Sequence, residues 1–96
     1  MIKHVVCFKL KEPTAETLEK AQELLLSMKC RVPEVKDIRL GLDILHSERS
    51  YDIILEVIVE DLDALNSYQN NEYHCSAVKT YMHAVRESSV AIDYYI

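Results

Sequence analysis

The feature that most limits what this chain can fold into is a set of strand-like segments that are apolar on both faces. Residues Ile2 to Leu10 place Ile2, His4, Val6, Phe8 and Leu10 on one face of an extended strand, with Val5 and Cys7 in the middle of the other. Tyr51 to Glu60 repeats the pattern. Tyr51, Ile53, Leu55, Val57 and Val59 share one face, and Ile54 and Ile58 sit between Asp52, Glu56 and Glu60 on the other. In Ser88 to Ile96, Val90, Ile92, Tyr94 and Ile96 alternate with Ser89, Ala91, Asp93 and Tyr95. Strands apolar on both sides belong in a sheet that is covered on both sides. A fourth segment, Val35 to Ile44, sets Ile38, Leu40, Leu42 and Ile44 against Asp37, Arg39, Gly41 and Asp43, so it is expected near a sheet edge.

Between these strands lie helical patterns. Pro13 and Thr14 open the first, where Leu18, Ala21, Leu25 and Met28 recur at three- and four-residue steps. Glu16, Glu19 and Glu23 near its start and Lys29 and Arg31 at its end suit the helix dipole, and Pro33 breaks it. Asp61 is placed to cap a short helix holding Leu62, Leu65 and Tyr68. Asn71 is placed to cap another running to Glu87, where His74, Val78, Tyr81 and Val85 form a stripe. The resulting order is βαββαβ: an α+β, ferredoxin-like fold with an antiparallel sheet, in one domain over residues 1–96. Two helical layers cannot form on this topology, so helices cover only one sheet face. A chain of 96 residues has nothing left for the other. The economical cover is a second copy in a two-fold homodimer.

Charge and cysteine usage narrow the partners. The net charge is −5, and the eleven Lys and Arg are scattered, which argues against nucleic acid as a partner. No apolar run approaches the length a bilayer requires, and the N-terminal residues lack the long apolar stretch of a secretory signal. Cys7, Cys30 and Cys75 show no C-x-x-C spacing, so a reducing cytoplasm is the expected home and no disulfide framework is expected. Cys75 follows His74, but neighbours on a helix point about 100° apart, so adjacency does not make an activated thiolate. No His-x-x-x-His or comparable ligand set suggests a metal, and no Gly-rich loop suggests a nucleotide cofactor.

Four pieces of the chain, taken together, resemble a known family. They are Ile2-Lys3-His4-Val5-Val6-Cys7-Phe8-Lys9-Leu10-Lys11, Tyr51-Asp52-Ile53-Ile54-Leu55-Glu56-Val57, Tyr68-Gln69-Asn70-Asn71-Glu72-Tyr73-His74 and Val90-Ala91-Ile92-Asp93-Tyr94. The resemblance is to the stress-responsive A/B barrel (Dabb) proteins, over nearly the whole chain. It implies a dimeric α/β barrel with back-to-back sheets and a cavity in each subunit between sheet and helices. Family members that do chemistry include plant polyketide cyclases, which close a ring by aldol condensation without a metal or organic cofactor. Their working Tyr and His match Tyr68 and His74, and a strand-one His facing the cavity matches His4. The His-Pro-x-His pattern common in the family is Asn71-Glu72-Tyr73-His74 here, so one His and the Pro are missing.

The strand order brings His4, near the start of strand one, to the end of strand three and the Tyr68 helix. The expected site therefore has His74, Tyr68 and His4 as catalytic candidates. Val6, Phe8, Leu25, Leu55, Val57, Val78 and Tyr81 form its expected wall, and a small apolar or aromatic molecule is its candidate ligand. His46 and His83 read as solvent-exposed and idle. The leading expectation is a cofactor-free ligand-binding homodimer without known turnover. One alternative is an enzyme of polyketide-cyclase or isomerase type with His74 as general base and Tyr68 steadying an enolate. The other is a structural, stress-protective dimer whose interior is filled by side chains. A histidine on an apolar stripe also serves as a purely structural group, with one ring nitrogen bonded.

Overall fold

A computed structural model describes all 96 residues. Four strands, β1 (Ile2–Leu10), β2 (Asp37–Leu42), β3 (Ile53–Val59) and β4 (Arg86–Tyr95), form one antiparallel sheet in the order β2-β3-β1-β4. The helices are α1 (Ala15–Arg31), α2 (Leu62–Gln69) and α3 (Thr80–Val85), and a π-helical segment, His74–Lys79, lies between α2 and α3 and runs directly into α3. This is the ferredoxin-like βαββαβ arrangement, with β1 central and β2 at an edge as the patterning predicts.

Local chemistry starts each helix where the sequence signals it. Thr14 Oγ1 accepts from the Thr17 N–H at 3.1 Å, and Asp61 Oδ1 accepts from the Ala64 N–H at 2.8 Å. Asn71 Oδ1 accepts from the His74 N–H at 3.1 Å. Each cap satisfies a first-turn donor that the helix itself cannot. Ala21, Leu25 and Met28 of α1 pack fully buried on Ile53, Leu55, Val57 and Val59 of β3 and on Ile2 and Leu10 of β1.

Several boundaries depart from the expected ones: β2 begins at Asp37 rather than Val35, and β3 runs Ile53–Val59 rather than Tyr51 to Glu60. β2 stops at Leu42, so Ile44 lies beyond the strand and is 91% exposed. The last helix gives way to β4 at Arg86, earlier than expected. The stripe on that helix is also corrected. Its buried residues are His74, Val78 and Met82, with Tyr81 and Val85 only partly covered. The cause is the π segment: its wider turn adds a residue, so a step of four replaces a step of three and Met82 takes the inward place.

The β4 pairing sets the character of both sheet faces. His4 lies opposite Asp93, Val6 opposite Ala91 and Phe8 opposite Ser89, so the small and polar residues of β4 face the helices. Val5 lies opposite Ile92 and Cys7 opposite Val90, and on the other side Cys7 lies opposite Ile54. The outer face is therefore an apolar surface on which Ile54, Val90, Ile92 and Tyr94 remain 39%, 50%, 67% and 45% exposed. No helix is long and apolar enough to cross a membrane.

Candidate functional site

A cavity of about 240 Å³ lies between the sheet and the helices, and it exists because β4 presents little side-chain bulk there. Ser89 and Ala91 stand beside Phe8 and Val6, and nothing large from β4 fills the space over them. Leu25, Leu55, Val78 and Met82 complete the apolar part of the wall. Of the expected wall residues, Val6, Phe8, Leu25, Leu55 and Val78 do line it. Val57 and Tyr81 do not. Val57 is wholly enclosed in the core, and Tyr81, displaced by the π turn, directs its hydroxyl to the Thr17 carbonyl at 3.4 Å beneath the Lys20 ammonium.

His4, Tyr68 and His74 converge at one end of the cavity. The Tyr68 ring lies between the two imidazoles, stacked on His74 with centroids 4.4 Å apart and edge-on to His4 at 5.5 Å. Three elements deliver them: β1 carries His4, the last turn of α2 carries Tyr68, and the Asn71 cap fixes the start of the helix that carries His74.

Each ring has a defined partner. His74 Nδ1–H donates to the Tyr68 backbone carbonyl at 2.9 Å, which leaves Nε2 as the acceptor of the neutral ring. Burial pushes the His74 pKa below the ordinary histidine range. The bond to the Tyr68 carbonyl offsets part of that push, and Lys79 and His4 add to it. His4 Nδ1–H donates to the Asp93 carboxylate. Neither Nε2 has a protein partner and neither is sealed from solvent, so both present a nitrogen to the cavity. Burial, and secondarily Asp93, push the Tyr68 phenol well above the usual tyrosine range, so it stays protonated. Its hydroxyl donates only to Met28 Sδ at 3.8 Å, a weak acceptor that an incoming oxygen can replace.

Several residues at the site carry no sequence signal of their own. Asp93 reaches His4 only through the β1–β4 register. Lys79, His83 and Arg86 also line the cavity, so His83 is exposed but at the site, while His46 sits in a distant turn against Asp43. Cys75 is turned away, its thiol donating to the Gln69 carbonyl at 3.3 Å. No three His, Cys, Asp or Glu side chains come together as a metal site needs. A wider, shallow depression of about 460 Å³ outside α1 is lined by Glu16, Glu19, Lys20, Glu23 and Leu24, with the Ser27 and Tyr73 hydroxyls bonded to each other at 2.6 Å.

Comparison with known proteins settles the family. The family model described as Stress responsive A/B Barrel Domain, Dabb, matches residues 2–96. The chain belongs to the Dabb family. Its fold is shared with a dimeric ferredoxin-like protein of unknown function from Thermobifida fusca, 21% identical with a TM-score of 0.86, covering 99% of this Dabb chain and 90% of that one. A protein from Arabidopsis thaliana is 21% identical with a TM-score of 0.87, over 100% and 95% of the two chains. A hydroxynitrile lyase from Passiflora edulis is 15% identical with a TM-score of 0.84, over 99% and 92%. No curated protein sequence matches this Dabb domain.

Proposed function

We propose that this Dabb protein is a homodimer whose subunits each perform cofactor-free acid–base chemistry on a small molecule bound between sheet and helices. His74 is the general base, taking a proton from an acidic C–H. Tyr68 donates a hydrogen bond to the oxygen on which negative charge develops, and His4, oriented by Asp93, is a second proton carrier at the same oxygen. The observation that carries this reading is the His74 geometry. With Nδ1–H held by the Tyr68 carbonyl and the pKa lowered by burial, the ring is neutral near pH 7 and offers an unprotonated Nε2 to the cavity. A structural histidine needs only the bonded nitrogen. The open cavity also counts against the reading in which side chains fill the interior. The relative named a hydroxynitrile lyase supports the view that this architecture can house small-molecule chemistry. Three unpaired thiols suit a reducing cytoplasm.

The test is deuterium incorporation. Aryl ketones, with and without a carboxylate chain, are incubated with the protein in D2O, and loss of the α-C–H signal is followed by NMR. The expected result is acceleration by the wild type that drops about 10²- to 10⁴-fold in His74→Gln. In Tyr68→Phe, loss of one oxyanion donor is expected to cost about 10²- to 10³-fold with little change in stability. Ketones that shift the His74 ring resonances without any accelerated exchange would instead make the protein a binding module.

A further inference from the structure

The cavity has a second polar end. Along β1, Phe8 is four residues from His4, about 13 Å at the rise of a strand, and Ser89 stands opposite Phe8 as Asp93 stands opposite His4. At the Ser89 end Arg86 Nη1 donates to Ser89 Oγ at 3.2 Å. That bond occupies the oxygen as acceptor and leaves the Ser89 O–H as a donor, while the guanidinium keeps further N–H groups to give. His83 lines the cavity too, as does Lys79, whose ammonium donates to the Gln69 carbonyl at 3.1 Å on the His74 side.

In a chain with sixteen acidic and eleven basic residues, this gathering of cations is against the average charge. The only carboxylate at the site is Asp93, and it is engaged with His4. Arg86 and Lys79 make no ion pair, so no carboxylate of the chain neutralises them at the cavity. Cationic donors facing a partly apolar cavity without an internal counter-charge match a ligand that brings the charge itself.

We propose that the cavity takes a small organic anion, with its carboxylate on Arg86 and Ser89 and its apolar body over Val6, Phe8 and Leu55, directed toward His74. This rests on the reading of the cavity as the ligand site and names the class of molecule it accepts. At about 240 Å³ the space falls below the usual range for drug-sized ligands, so the anion is a compact one.

The experiment compares 3-phenylpropionate and 5-phenylpentanoate with their amides, which keep the body and remove the charge. Binding is measured by calorimetry and by the ring resonances of His74. The acids are expected to bind at least about tenfold more tightly than the amides, in keeping with a charge-assisted hydrogen bond. Arg86→Gln is expected to erase that preference, whereas Arg49→Gln, an equal change of charge on an exposed turn, leaves it intact. Ser89→Ala and Lys79→Gln, each expected to narrow the preference, serve if Arg86→Gln fails to fold. Amides that bind as tightly as acids while shifting His74 would overturn the anion and leave the cavity reading standing. Absence of binding by all four compounds would overturn both.

Discussion

His74 has one ring nitrogen committed to the Tyr68 carbonyl and one left to the cavity, and its buried setting makes its charge state part of the protein's stability. Burial lowers its pKa in the folded chain, so the unfolded chain takes up the proton more readily. The contribution is then fully present above the ordinary histidine range and is lost as pH falls through the depressed value. Between about pH 7 and pH 5 the wild type is expected to lose melting temperature more steeply than His74→Gln, which has no proton to bind there. Thermal melts of the two proteins across that window check this, and parallel slopes would show that His74 is not the depressed group. Titration and base catalysis both act at Nε2, the one nitrogen free to take a proton, so His74→Gln is expected to lose the pH slope and the catalytic effect together.

At the scale of the element, the π segment His74–Lys79 decides which side chains meet the cavity. It predicts an inequality that an unbroken α-helix would reverse. Met82→Ala removes a fully buried side chain at the cavity wall and is expected to cost about 2–5 kcal/mol in denaturant unfolding. Tyr81→Ala, which removes a partly covered ring from the side facing α1, is expected to cost clearly less. The same element marks how far the sequence could be read. Strand faces, the α1 stripe and the Thr14, Asp61 and Asn71 caps were legible because they follow from periods of 2 and 3.6 and from side-chain chemistry within three residues. His4, Tyr68 and His74 were legible as a set because resemblance and topology pointed to the same end of the sheet. Tyr81 was expected in the wall because residue counting assumes a constant helical pitch, which an inserted residue per turn breaks. Asp93 and Ser89 were not legible as site residues, since only the β1–β4 register turns the polar face of β4 toward the helices. The apolar alternation of Val90, Ile92 and Tyr94 instead marks the face turned away from them.

For the whole molecule, that outward apolar face is the strongest physical demand still unmet within one chain. Val5, Cys7, Ile54, Val90 and Ile92 adjoin one another across three strands, and the helices already occupy the opposite side. Lys3, paired with Glu56 at 3.4 Å, and Arg39 beside Asp37 place charged residues toward the β2 side of the same face, an apolar patch with a polar margin. A second copy related by a two-fold axis would lay patch on patch, burying on the order of 800 Å² per subunit at standard interface size. The protein is therefore expected to scatter light at micromolar concentration as twice its 11.1 kDa chain mass. Ile92→Asp is expected to shift it to monomer or aggregate, because association would bury an unpaired carboxylate. Ile92 points away from the cavity on the far face of β4, so the substitution leaves His4, Tyr68 and His74 in place. If the monomeric variant still folds, its ligand binding separates two roles for the dimer. Retained affinity means that the second copy only covers the sheet. Lost affinity, with the fold intact by circular dichroism, means that pairing the sheets also holds β4, and with it Asp93 and Ser89, in the register the cavity requires. A wild type that scatters as a single chain throughout the micromolar range would remove the dimer altogether.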